Sequence, residues 1–286
     1  MFKKESKHIT DADVKRSLPH NRKECFFDLL KNRKMALFSL SSFVFMFFIP
    51  LVVDLFVFNF LEAAAIASDK SDYLFSLVFY SMLIMIPCMV IGFLGLIGGF
   101  NVAKKMVWQE GTMLAVDFFQ GIKENWKHAV MNGLLFGLFL FGLVVGGSYL
   151  VINFSVSPIW SGIGIGALIL FFMLFGMIVV LNSAQDVYYT NTYGATLKNS
   201  FCLLGLLHYR VLLVFLFSTG VVVTLALFNF ITLAIGLLLF AIFNSVVIIL
   251  YTLISHYGFD KFINQEHYPD YVNKGLYKLE SNDKEA

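Results

Sequence analysis

Just beyond the last apolar stretch of the chain stand His256, Asp260, Glu266, His267 and Asp270, two imidazoles and three carboxylates within 15 residues. Such groups could hold a divalent cation, but the HEXXH-type spacing that sets two ligands on one helical face is absent, and charges beside a membrane are usually only solvated. Asp54 is the acid inside or beside the first apolar run, and a carboxylate in a span is a candidate proton or cation site. Nineteen uncharged residues precede it, Met35 to Val53, so a single crossing places it near the outer interface and favours solvation over coupling. There is no Walker A loop, no GXSXG elbow and no CXXC pair. Cys25, Cys88 and Cys202 are far apart and suggest neither a disulfide framework nor a metal site. The residues therefore predict no catalytic group, no metal and no cofactor.

The strongest patterned candidate lies in TMLAVDFFQGIKENWKH. Here Ala115, Phe118, Phe119, Ile122 and Trp126 recur at helical spacing, while Asp117, Gln120, Lys123, Glu124 and Lys127 fall elsewhere. The pattern predicts an amphipathic helix on the membrane surface. Asp117, Phe118, Phe119, Lys123, Trp126 and Lys127 are the candidate surface for a partner or for lipid headgroups. A second segment, TYGATLKNSFCLLGLLHYR, places Leu197, Phe201 and Leu204 similarly and ends in a basic-aromatic cluster. Together they suggest a degenerate repeat of interfacial helix plus membrane hairpin.

The elements that position these segments follow from composition. Of 286 residues 58% are hydrophobic and 14% charged, against roughly 25% charged in a soluble domain. The 33 Phe suit side chains that face lipid. Uncharged runs extend from Met35 to Val53, Tyr73 to Ala103, His128 to Gln185 and Val211 to Phe259. A span needs about 20 residues, so the first two runs supply one helix each. The third must fold back at the turn signal Ser155 to Pro158, and the fourth near Asn229. The prediction is an all-α polytopic membrane protein with six transmembrane helices, near 35–61, 73–100, 129–151, 162–181, 211–229 and 232–257, and two interfacial amphipathic helices. A basic segment, 1–34, precedes them and a tail, 258–286, follows. Pro87 is the expected kink of the second helix.

On this model 20 of the 21 Lys/Arg fall on one side, with Lys70 on the other, which predicts cytoplasmic N- and C-termini. The first 34 residues hold ten Lys/Arg and no signal-like apolar core, so the N-terminus is expected to be retained. The net charge of +2 follows the membrane sides and gives no reason to expect nucleic acid. Glycines at 92, 95, 98 and 99, at 133 and 137, and at 142 and 146 predict close helix packing, and Asn153, Asn182, Asn229 and Asn244 predict helix-helix hydrogen bonds or turns. EAAA at Glu62 to Ala65 looks like an ABC permease coupling segment, but it falls in the predicted outer loop, away from any cytoplasmic ATPase.

The stretch PCMVIGFLGLIGGFNVAKKMVWQEGTMLAVDFFQGIKENWKHAV resembles the YesL family of bacterial membrane proteins. The matching order is Pro87 in a Gly-rich span, Lys104 and Lys105, Gln109 to Gly111, Asp117 to Phe119, then Lys123 to Lys127; the tail GFDKFINQEHYPDYVNKGLY is also similar. The resemblance implies a bacterial cytoplasmic-membrane protein with no assigned catalytic residues, associated with carbohydrate ABC importers. The expected function is a non-enzymatic accessory or regulatory component of such uptake, with lipid and importer subunits or another membrane protein as partners. The alternative is a small-solute transporter, against which the scarcity of polar groups in the spans argues.

Overall fold

The computed structural model describes residues 19–68, 73–220 and 230–277. The described residues form a short helix, α1 (Arg22–Asn32), followed by six long ones. These are α2 (Lys34–Ala67), α3 (Leu74–Val107), α4 (Leu114–Ile152), α5 (Pro158–Asp186), α6 (Tyr193–Phe215) and α7 (Phe230–Phe259). All six are long and apolar enough to cross a membrane, as the uncharged runs predict. The six-helix architecture fits a multi-pass membrane protein. The expected turn near Asn229, and Lys70, lie outside the described residues.

α3 is the hub, packing on α2, α4, α5 and α7. Small residues let its neighbours close in. A Cβ on Gly133 would sit 2.5 Å from the Val90 Cα, and one on Gly137 3.0 Å from the Ile86 Cα, so α4 touches the backbone of α3. Gly92, Gly95 and Gly99 seat Phe48, Phe47 and Val44 of α2 in the same way. Gly142 and Gly146 differ: among the described residues nothing lies within 4 Å of a Cβ at either, so neither packs a described helix. Pro50 and Pro87 both lie inside helices, where each lacks the N–H that would bond four residues back.

The two segments expected as interfacial helices are not separate elements. The first is the opening of α4, set off from the rest by non-helical backbone at Asn125 (φ −119°, ψ 15°). The second is the opening of α6, which continues without a break to Phe215 and then as a π turn, Leu216–Gly220. α1 was not legible in the basic N-terminal segment. Asn21 caps it by accepting from the Glu24 N–H at 2.9 Å, and Cys25 and Leu29, four apart, are its buried pair.

The helices alternate in direction, so one end of the bundle gathers the start of α2 and the ends of α3, α5 and α7. Contacts from Trp108 to Tyr188 and to His256, and from Arg22 to Asp260, all lie at that end. Since Lys104, Lys105, Lys123, Lys127 and Lys274 belong to it too, it is the basic end. Glu62 to Ala65 occupies the last turns of α2, at the opposite end.

Candidate functional site

Two buried hydrogen-bonded clusters close the basic end. The first grows from the end of α7. His256 and Asp260 are four apart, and the chain then widens into a π turn, Asp260–Asn264, which brings Asn264 to the same side. Asp260 Oδ2 accepts from Arg22 of α1 and from the Asn273 N–H at 2.8 Å, while Oδ1 accepts from Asn264 Nδ2 at 2.7 Å. The Tyr189 hydroxyl donates to Asn264 Oδ1 at 2.5 Å. Arg22 Nη1 lies 3.1 Å from His256 Nδ1. Arginine only donates, so Nδ1 accepts; Nε2 stands 3.4 Å from both the Trp108 indole N–H and the Tyr271 carbonyl. Of the predicted titratable group, then, His256 and Asp260 meet, whereas Glu266, His267 and Asp270 are exposed and stay apart from them. Among the described residues no three His, Cys, Asp or Glu side chains are placed to hold a metal ion.

Trp108, at the end of α3, is the roof of this cluster. Its ring lies 5.4 Å from that of Tyr188 and 5.0 Å from that of Tyr271, with Lys274 Nζ 3.8 Å from its centroid. Lys274 also pairs with Glu110 at 2.8 Å. The chain beyond α7 is thereby a strap across the α3–α4 turn. Gly275 permits it: its φ is +86°, and a Cβ there would lie 2.2 Å from the Val107 carbonyl oxygen. The strap ends where the Tyr277 N–H donates to the Pro19 carbonyl at 2.9 Å, tying both ends of the described chain together. The buried Tyr188 hydroxyl has no hydrogen-bond partner among the described residues, and burial pushes its pKa well above the usual phenol value.

The second cluster joins α4, α5 and α6. His128 Nδ1 lies 2.7 Å from Asp186 Oδ1, and Asn132 Nδ2 donates to Asp186 Oδ2 at 3.2 Å. Asn132 Oδ1 accepts from Asn182 Nδ2 and from the Tyr193 hydroxyl, both at 2.8 Å. His128 and Asp186 bound the long uncharged run, so their meeting is the direct result of its folding back as a hairpin. An Asp-oriented imidazole is half of a nucleophile-activating set, but among the described residues no hydroxyl or thiol bonds to His128. The arrangement ties three helices together through side-chain hydrogen bonds.

The predicted aromatic-basic surface divides in two. Asp117 accepts from Lys105 Nζ at 2.6 Å and from the Met113 N–H at 2.8 Å, stapling the α3–α4 turn. Phe118 is fully buried against Phe43, Phe47 and Gly98. Phe119 and Trp126 remain about half exposed, at 53% and 50%, beside exposed Lys123 and Lys127. The face that the spacing assigned to water thus contributes Asp117 to the interior, because Lys105 waits there to pair with it.

Asp54 departs from the solvated reading. It is 8% exposed and accepts from the Ser81 hydroxyl at 3.2 Å, beside the buried methionines of α3. The helix-helix role expected of asparagines holds for Asn182 and for Asn244, whose Nδ2 donates to the Ser41 carbonyl at 3.1 Å; Asn153 closes the end of α4. Missed from sequence were Arg22, Trp108, Tyr188, Asn132 and Asn264, polar or aromatic residues whose partners are distant in the chain. Apart from Arg22, their one sequence signal is a position within five residues of the end of an uncharged run. Comparison with protein-family models finds no match, and comparison with curated proteins and with solved structures finds none either.

Proposed function

We propose that this chain is a non-enzymatic accessory or regulatory protein of the bacterial cytoplasmic membrane, with both termini on the cytoplasmic side, acting through its basic end on a partner. One observation carries the reading: the buried polar side chains at that end are largely bonded to one another, which leaves Phe119, Lys123, Trp126 and Lys127 as an outward aromatic-basic strip on a braced scaffold. Aromatic and basic side chains together suit a protein or headgroup surface better than a reaction. Association with a carbohydrate ABC importer rests on the YesL-type residues alone. Replacing Lys123, Trp126 and Lys127 together with Ala is expected to abolish co-purification of the partner from mild detergent, with insertion and abundance unchanged. Undiminished recovery of the same partner would remove the reading.

A second reading, small-solute transport, is favoured by Asp54, a carboxylate enclosed within a span with Ser81 as its hydrogen-bond partner. Measured in the same assays, Asp54→Asn should leave uptake and partner recovery unchanged if the accessory reading holds. If it stops uptake while the triple Ala variant keeps both, the transporter reading replaces it.

A further inference from the structure

We infer that the corner formed by α1, α6 and α7 binds a membrane phospholipid with an anionic headgroup, Arg210 taking the phosphate and α7 the acyl chain. Two open grooves meet there, sharing Arg210 and Tyr257. One, of about 160 Å³, continues to His208, Lys261 and Phe262. The other, of about 220 Å³, is bounded by Arg22 and Lys23 and floored by Leu250, Leu253 and Ile254.

The charge in this corner is one-sided. Among the described residues no acid lines either groove. Arg22 is committed to Asp260, but among the described residues Lys23, Arg210 and Lys261 have no carboxylate within ion-pair distance. Arg210 is exposed and its guanidinium carbon stands 4.3 Å from the Tyr257 ring centroid. That stacking holds the fork in place while leaving its N–H groups for a ligand, and a phosphate is the anion whose geometry matches it.

Position and lining then separate a lipid from a free phosphate. Arg210 immediately precedes the uncharged run from Val211 to Phe259, and Tyr257 nearly ends it, so both sit at the level where the apolar belt meets the basic end. From Tyr257 the second groove follows Ile254, Leu253 and Leu250, a descent of about 10 Å along the helix. A free phosphate uses none of that apolar floor, whereas a phospholipid sets its phosphate at the boundary and its chain on the floor. Basic pockets between helices at a membrane surface bind anionic headgroups by this combination. A choline headgroup would bring a second cation toward Lys23 and Lys261, so an anionic lipid such as phosphatidylglycerol fits better.

The test is native mass spectrometry of the full chain, delipidated in mild detergent and titrated with dioleoylphosphatidylglycerol, dioleoylphosphatidylcholine or sn-glycerol 3-phosphate. Phosphatidylglycerol should saturate one site and the choline lipid should bind about tenfold more weakly, while glycerol phosphate leaves bound lipid in place. Arg210→Gln should weaken phosphatidylglycerol by about fivefold, and Lys23→Gln with Lys261→Gln by about that factor per charge. Equal binding of the two lipids overturns the inference, as does a site unmoved by the substitutions. Displacement by glycerol phosphate would make it a free-phosphate site instead. Should Arg210→Gln fail to purify, the double lysine variant decides, because both side chains are exposed and take no part in the buried networks.

Discussion

Asp260→Asn tests whether one carboxylate holds both ends of the described chain on the bundle. Asp260 Oδ2 takes two donors, Arg22 and the Asn273 N–H, and Oδ1 takes Asn264 Nδ2. Asparagine has one acceptor oxygen, so whichever way its amide turns, an NH2 group faces a donor. Arg22 also loses its counter-charge, and the pair is largely enclosed, with side-chain exposures of 16% and 9%. Removing one partner of a buried pair costs roughly 3–5 kcal/mol, and partial access of water to Arg22 together with the retained amide oxygen lowers this to about 2–4 kcal/mol. If that loss falls on local opening, the open fraction of the strap should rise about 30-fold to 1,000-fold. Hydrogen exchange resolved by peptide reads it: amides of residues 268–277 and of α1 should lose protection together, because Asn273 and Arg22 share the carboxylate and Tyr277 is bonded to Pro19. Amides in the middle of α3 serve as the internal control. Unchanged exchange in the strap, or loss in the strap with α1 fully protected, would refute the claim that Asp260 couples the two.

Other expectations follow from single contacts. Gly133→Ala should destabilise the detergent-purified protein by about 1–3 kcal/mol, since its Cβ meets the Val90 backbone, whereas Gly142→Ala meets none of the described residues and should be neutral or stabilising through helix propensity; thermal unfolding of the two side by side decides. Burial pushes the Cys25 thiol up to about 11, so its thiolate forms only in strongly alkaline solution. In a Cys88→Ser, Cys202→Ser background a maleimide at pH 8 should therefore label Cys25 only after denaturation, and rapid labelling of the folded protein would contradict its burial. Topology reporters fused after Ala67 and Pro158 should read outside and those after Gly111, Thr192 and Asn273 inside; one inversion at Pro158 would break the six-helix alternation.

The apolar belt was legible without coordinates because hydrocarbon thickness imposes a length, and charge is costly at its centre. The limits of the uncharged runs accordingly predict six long helices, and Ser155 to Pro158 marks the α4–α5 turn. The small residues at 92, 95, 99, 133 and 137 were also readable as contact points, since close helix packing needs them whatever the partner. That Gly142 and Gly146 share the spacing yet touch none of the described residues was not readable: the pattern records what a helix permits, and only tertiary structure supplies the neighbour. The basic end shows the same division. Sequence placed Asp117 on a polar face and Asp54 in water, whereas Lys105 draws the first inward and Ser81 meets the second inside the bundle. His128 with Asp186 and Arg22 with Asp260 are 58 and 238 residues apart in the chain, and local periodicity carries no information about such pairs. A span is set by its own residues against the solvent, but a buried polar group is set by which distant residue arrives beside it.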